Sequence, residues 1–167
     1  WTKLDGYENG FNTLQNYQVD RGAAMPDALS SLPIVGRVAS VINHPSLTRW
    51  DAMIDDITER MRTTQSPYFI WVMLMDVHYP YHPPLGYNQF NYPPERFYAN
   101  ARFRQSRWGR DGLSEANRER LSRTYDAAIR YTDDFFADLS AALGDDDVCV
   151  VHADHGEALG EHGNYYH

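Results

Sequence analysis

Two short apolar runs constrain this chain more than any other feature. Residues 68–75 read Y-F-I-W-V-M-L-M, and residues 148–151 read V-C-V-V after the acidic turn formers Gly144, Asp145, Asp146 and Asp147. Apolar runs without polar alternation, bounded by turn formers, predict strands covered on both faces, the pattern of a parallel sheet. Each run is followed closely by chemistry-bearing residues: His78 after the first, His152, Asp154 and His155 after the second. Open α/β sheets bind their ligands outside the carboxyl ends of the strands. The expected fold is therefore α/β, a mostly parallel sheet with helices packed on both faces.

The helices of that expected fold carry their own signals. Ser46 is placed to cap a helix ending near Thr63, with Trp50, Met53, Ile54, Ile57 and Met61 on one stripe. A second helix starts at Ser114 and runs to Gly144, a natural C-cap. Its stripe is Leu121, Tyr125, Ala128, Ile129, Thr132, Phe135, Phe136, Leu139 and Leu143. Residues 1–21 read as loop, and residues 25–42 as irregular surface helix. Residues 85–112 interleave seven aromatics with arginines (Arg96, Arg102, Arg104, Arg107, Arg110) and read as a long loop, facing substrate or packed on the surface.

The densest chemistry lies in residues 147–167. Four of the seven histidines (His152, His155, His162, His167) stand there among Asp154, Glu157 and Glu161. An oxygen-and-imidazole set of this kind suits a divalent cation. Asp154 and His155 would point to opposite faces of a strand, so they share an ion only if the chain turns, which Gly156 permits. His78 stands in His78-Tyr79-Pro80-Tyr81-His82-Pro83-Pro84, where prolines stop any strand.

Composition removes several alternatives. A net charge of −8, with Lys3 the only lysine, disfavours nucleic acid or an anionic membrane as the main partner. The one cysteine, Cys149, excludes an internal disulfide and reads as a small buried hydrophobe. No apolar run reaches the 18 or so residues of a membrane helix.

The string D-H-G-E-x-x-G-E-H-G, formed by residues 154–163, resembles the metal-binding segment of the sulfatases in the alkaline phosphatase superfamily. Strand-then-H-x-P-x-x-P-P at residues 78–84 is similar to a second sulfatase signature. The wording of residues 125–134 resembles the helix before the D-H-G strand, and residues 6–12 faintly resemble a G-Y-x-x-G-F-D segment. The resemblance implies an alkaline-phosphatase-like α/β sandwich, with residues 1–167 an internal part of one catalytic domain. It implies a metal-dependent sulfuric ester hydrolase acting on a small-molecule or glycan sulfate ester. Asp154 and His155 would be metal ligands, Ca²⁺ foremost, with His78 contacting the sulfate group as a substrate-binding and catalytic residue. His167 falls near the place where sulfatases carry a lysine, and would donate a proton or hydrogen bond to the ester. The family nucleophile is a formylglycine made from C/S-x-P-S/A-R, a motif that this sequence lacks. It is expected upstream, which leaves these residues inactive alone. Two other readings stay open: a phosphoesterase or phosphoethanolamine-type transferase of the same superfamily, using Zn²⁺ or Mn²⁺, and a noncatalytic metal-binding module.

Overall fold

The structure is a computed structural model that describes residues 10–13, 15, 49–90 and 93–166. Ser46, residues 25–42, residues 6–9 and His167, to which the sequence assigned a cap, a helix, part of a motif and a catalytic role, lie outside the described residues.

Among the described residues three helices dominate: α1 (Ile54–Thr63), α2 (Pro93–Gln105) and α3 (Glu115–Ala142). Short 3₁₀ turns cover Trp50–Ala52, Leu85–Phe90 and Glu161–Gly163. Among the described residues the only ladder is a hairpin of two residues per strand. In it β1 (Ala158–Leu159) pairs antiparallel with β2 (Tyr165–Tyr166), Leu159 opposite Tyr165. None of the described helices is long and apolar enough to cross a membrane.

This overturns the α/β sandwich with a parallel sheet. Neither apolar run forms a strand. In residues 68–75, Phe69, Trp71 and Met73 are 75%, 43% and 50% exposed, while Val72 and Leu74 rest against one helical cluster. The run therefore has one covered face, not two. Val148, Val150 and Val151 are 86%, 77% and 64% exposed, and Cys149 is exposed as well, where the sequence predicted burial. The physical reason is that a strand needs a neighbour to pair its backbone donors and acceptors, and among the described residues neither run has one.

The two cores lie along α3. Near its amino-terminal half, Leu121 and Ala128 pack with Tyr81, Ala99, Phe103 and Leu159. Towards its carboxyl end, Tyr131 and Phe135 pack with Trp50, Met53, Ile54 and Ile57. The Trp50 indole N–H donates to the Tyr131 carbonyl at 2.8 Å, so the largest ring in that cluster is buried without an orphaned donor. The period-3.6 stripe read from the sequence holds in outline, but Ile129 is 45% exposed, and Thr124, Ala127 and Tyr131 take buried places. The helix ends at Ala142 with Leu143 as its cap, while the Gly144 N–H donates to Asp147 Oδ2 at 2.8 Å.

Residues 85–112 are mostly helical instead of a loop. Pro93 and Pro94 sit at the start of α2, where missing N–H groups cost nothing, and Glu95 favours the same end. Ala99, Asn100 and Phe103 bury one narrow face of α2 against α3. The α1 start also differs, since Met53 precedes Ile54 with no side-chain cap.

Candidate functional site

The loop after residues 68–75 is held by backbone and side-chain bonds that replace the missing ladder. The His78 N–H donates to the Met75 carbonyl at 3.1 Å, closing a turn. Tyr81 is fully buried, so its peptide groups need partners. The Asn100 side chain supplies both: its Oδ1 accepts from Tyr81 N–H at 3.1 Å, and its Nδ2 donates to the Tyr81 carbonyl at 2.8 Å. One amide on α2 thus does for Tyr81 what a neighbouring strand would do. Arg96 Nη1 donates to the Pro83 carbonyl at 2.5 Å, and the Tyr79 hydroxyl donates to the Asn100 carbonyl at 3.0 Å.

On this clamped loop His78 is part-buried, with Nδ1 2.5 Å from the Tyr79 carbonyl oxygen. A carbonyl can only accept, so in the neutral ring the proton sits on Nδ1 and the lone pair on Nε2. His155 repeats the arrangement, with Nδ1 3.0 Å from the Gly156 carbonyl oxygen. Its Nε2 then lies 3.8 Å from Asp154 Oδ1, and both residues are exposed. The His155 N–H also donates to Asp154 Oδ1 at 3.1 Å, which fixes the carboxylate over its own turn.

That geometry tests whether a cation fits. Ligand atoms each about 2.0–2.6 Å from one ion stand roughly 3–4 Å apart. The Oδ1–Nε2 spacing falls in that span, so the pair fits two positions of a coordination shell. Among the described residues no group of three His, Cys, Asp or Glu completes it. Among the described residues, the other histidines and acids of the segment do not complete a metal-holding group with the pair. Glu161 is turned to its own hairpin, where Oε2 accepts from Leu159 N–H at 2.6 Å; hydrogen bonds from the Glu161 and Leu159 backbones hold its pKa below the usual value. His162 occupies a left-handed backbone position (φ 54°) and is exposed.

Glu157 is the residue that sequence reasoning left without a role. Its Oε1 accepts from the Tyr79 N–H at 3.2 Å, joining the D-H-G-E segment to the residue after His78 across 78 positions of chain. Tyr81 and Tyr125 lie beside it. Burial first, and the Glu157 charge second, push both phenols above their ordinary pKa, so they stay protonated. Asp76 is the second residue missed. Its Oδ1 accepts from Trp50 N–H at 3.4 Å, its Oδ2 is buried with no hydrogen-bond partner, and burial pushes its pKa up to about 7. An Asp directly after an apolar run was visible in the sequence, but its burial was not.

A family model described as Sulfatase matches residues 7–167. The chain belongs to the sulfatase family. No curated protein and no solved structure gives a match. The matched region takes in His78, Asp154, His155 and Glu157. At the level of the family the protein is a sulfatase-type hydrolase. The candidate residues His78, Asp154 and His155 lie on two loops that the Tyr79–Glu157 hydrogen bond joins. Two cavities of about 250 and 290 Å³, one lined by Arg102, Ser106, Asp111 and Asn117 among others and one by Gly86, Tyr87, Arg130 and Asp134, contain none of these residues.

Proposed function

We propose that this chain supplies the cation-holding and ester-gripping part of a sulfuric ester hydrolase. The observation that carries the reading is the pairing of Asp154 Oδ1 with His155 Nε2 at 3.8 Å on an exposed turn, in a chain of this family. Asp154 and His155 would hold a divalent cation, Ca²⁺ before Zn²⁺ or Mn²⁺, with further ligands from outside the described residues. When bound, the cation supplies positive charge that stabilises the transferred group. His78, with its Nδ1 held at the Tyr79 carbonyl, would donate a hydrogen bond or proton to the ester oxygen when its Nε2 is protonated. His167, beyond the described residues, is proposed as a second donor to the ester. The sequence holds no C/S-x-P-S/A-R nucleophile, so these 167 residues alone should not turn over an aryl sulfate.

Calorimetric titration of Ca²⁺ into the chain and into Asp154→Ala tests the reading. Binding that Asp154→Ala abolishes supports it. Equal binding, or none to the wild type, would sink it.

A further inference from the structure

Glu157 offers one inference about the same two loops, and it rests on the reading that they form one site. The loop bearing His78 and the turn bearing Asp154 and His155 are far apart in sequence. Of the hydrogen bonds described above, the one from the Tyr79 N–H to Glu157 Oε1 joins them directly. Both ends of this bond are adjacent to functional residues: Tyr79 follows His78, and Glu157 stands two residues after His155. The Tyr81 phenol, on the same loop as Tyr79, also hydrogen-bonds the Glu157 carboxylate, so the side chain grips the His78 loop at two residues, the Tyr79 peptide being the one held by Oε1. Tyr79 is anchored from its other side by its hydroxyl on the Asn100 carbonyl. The Glu157 contact therefore acts on a peptide already tethered to α2, and sets the D-H-G turn against that fixed point.

We propose that Glu157 is a positioning residue: its Oε1 ties the peptide after His78 to the Asp154–His155 turn and so sets the distance from the imidazole to the cation pair. It touches neither ester nor ion in this role. Only an acceptor at Oε1 is required, not the negative charge. Glutamine should therefore serve, whereas alanine should not, and aspartate is too short by one methylene to reach Tyr79.

Hydrogen exchange by NMR on the 167-residue chain reads the tie directly. The Tyr79 amide should exchange roughly tenfold faster in Glu157→Ala, the loss of one net hydrogen bond, and at the wild-type rate in Glu157→Gln. Amides of α3 should keep their protection in all variants. If Glu157→Ala unfolds the chain, Glu157→Asp takes its place with the same expected acceleration. An unchanged Tyr79 rate in Ala or Asp, or a Gln variant as fast as these, overturns the proposal.

The second readout is paramagnetic broadening of the His78 ring protons by Mn²⁺ added to the chain. Broadening in the wild type that persists in Gln and weakens in Ala supports positioning. Equal broadening in wild type and Ala overturns it. A wild type that takes up no Mn²⁺ overturns the cation reading, and with it the positioning role; the exchange data still decide whether the tie exists.

Discussion

Asp76 makes the stability of this protein depend on pH in a direction opposite to that of most carboxylates. Burial moves its pKa from 3.8 to about 7, with the Trp50 N–H and Arg49 opposing and Asp51 reinforcing. In the unfolded chain Asp76 loses its proton near 3.8, whereas in the folded chain it keeps it to about 7. The folded state therefore binds more protons between those values, and stability falls as pH rises through that window. At about 1.4 kcal/mol per pH unit the loss reaches roughly 4 kcal/mol above pH 7. The figure is a ceiling, because Oδ2 is buried while the residue as a whole is only part-buried. Asp76→Asn keeps an acceptor for Trp50 N–H and cannot ionise. Urea unfolding of both proteins from pH 4 to pH 8.5 isolates the effect, since every other titrating group is shared. The stability gap in favour of Asn should open with rising pH and level off above 7. A gap that stays constant across that range, or that opens as pH falls, would refute the reasoning.

Further outcomes follow from the same structure. In an enzyme completed with its nucleophile, His78→Ala should cut turnover about 10²–10⁴-fold while leaving the melting temperature nearly unchanged; a large thermal shift with modest kinetic change would return His78 to a structural role. Asn100→Leu leaves the buried Tyr81 N–H and carbonyl unpaired and should destabilise by about 2–6 kcal/mol in chemical denaturation, at about 1–3 kcal/mol per orphaned group. Gly109→Ala should be comparably damaging: Gly109 has φ +80°, and an added Cβ would collide with the Tyr165 ring. Its thermal melt should lie well below that of Gly112→Ala, which shares the positive φ but meets open space.

How far the sequence could be read depended on whether the signal was local. Helix α3 was legible within two residues at its carboxyl end, because Leu121, Ala128, Thr132 and Phe135 keep one face for about four turns. The loop position of His78 was legible too, from the prolines; Asp154 and His155 also lie outside any strand, but Gly156 does not take the positive φ expected of it. The two apolar runs misled, since periodicity cannot tell a strand buried on both faces from a segment lying on a helical wall, as residues 68–75 do. Helix α2 was missed because Arg96, Arg102 and Arg104 break up its apolar residues, and only Ala99, Asn100 and Phe103 mark its buried face. Asn100 and Glu157 gave no hint at all. Their partners lie 19 and 78 residues away, and nothing in the local pattern of either residue names a distant peptide group.

The sharing of α3 by two cores makes this protein tolerant of substitution but intolerant of changes in length. Each residue turns a helix by about 100°. Removing one residue between Ala128 and Tyr131 would leave Leu121 seated against Phe103 and Tyr81, yet swing Tyr131 and Phe135 a quarter-turn away from Trp50. Arg130 and Asp133, both exposed, can be exchanged for other polar residues with little effect, but neither can be deleted without unseating one core to keep the other. The middle of this helix works as a gear with a fixed tooth count, where spelling drifts freely and spacing does not.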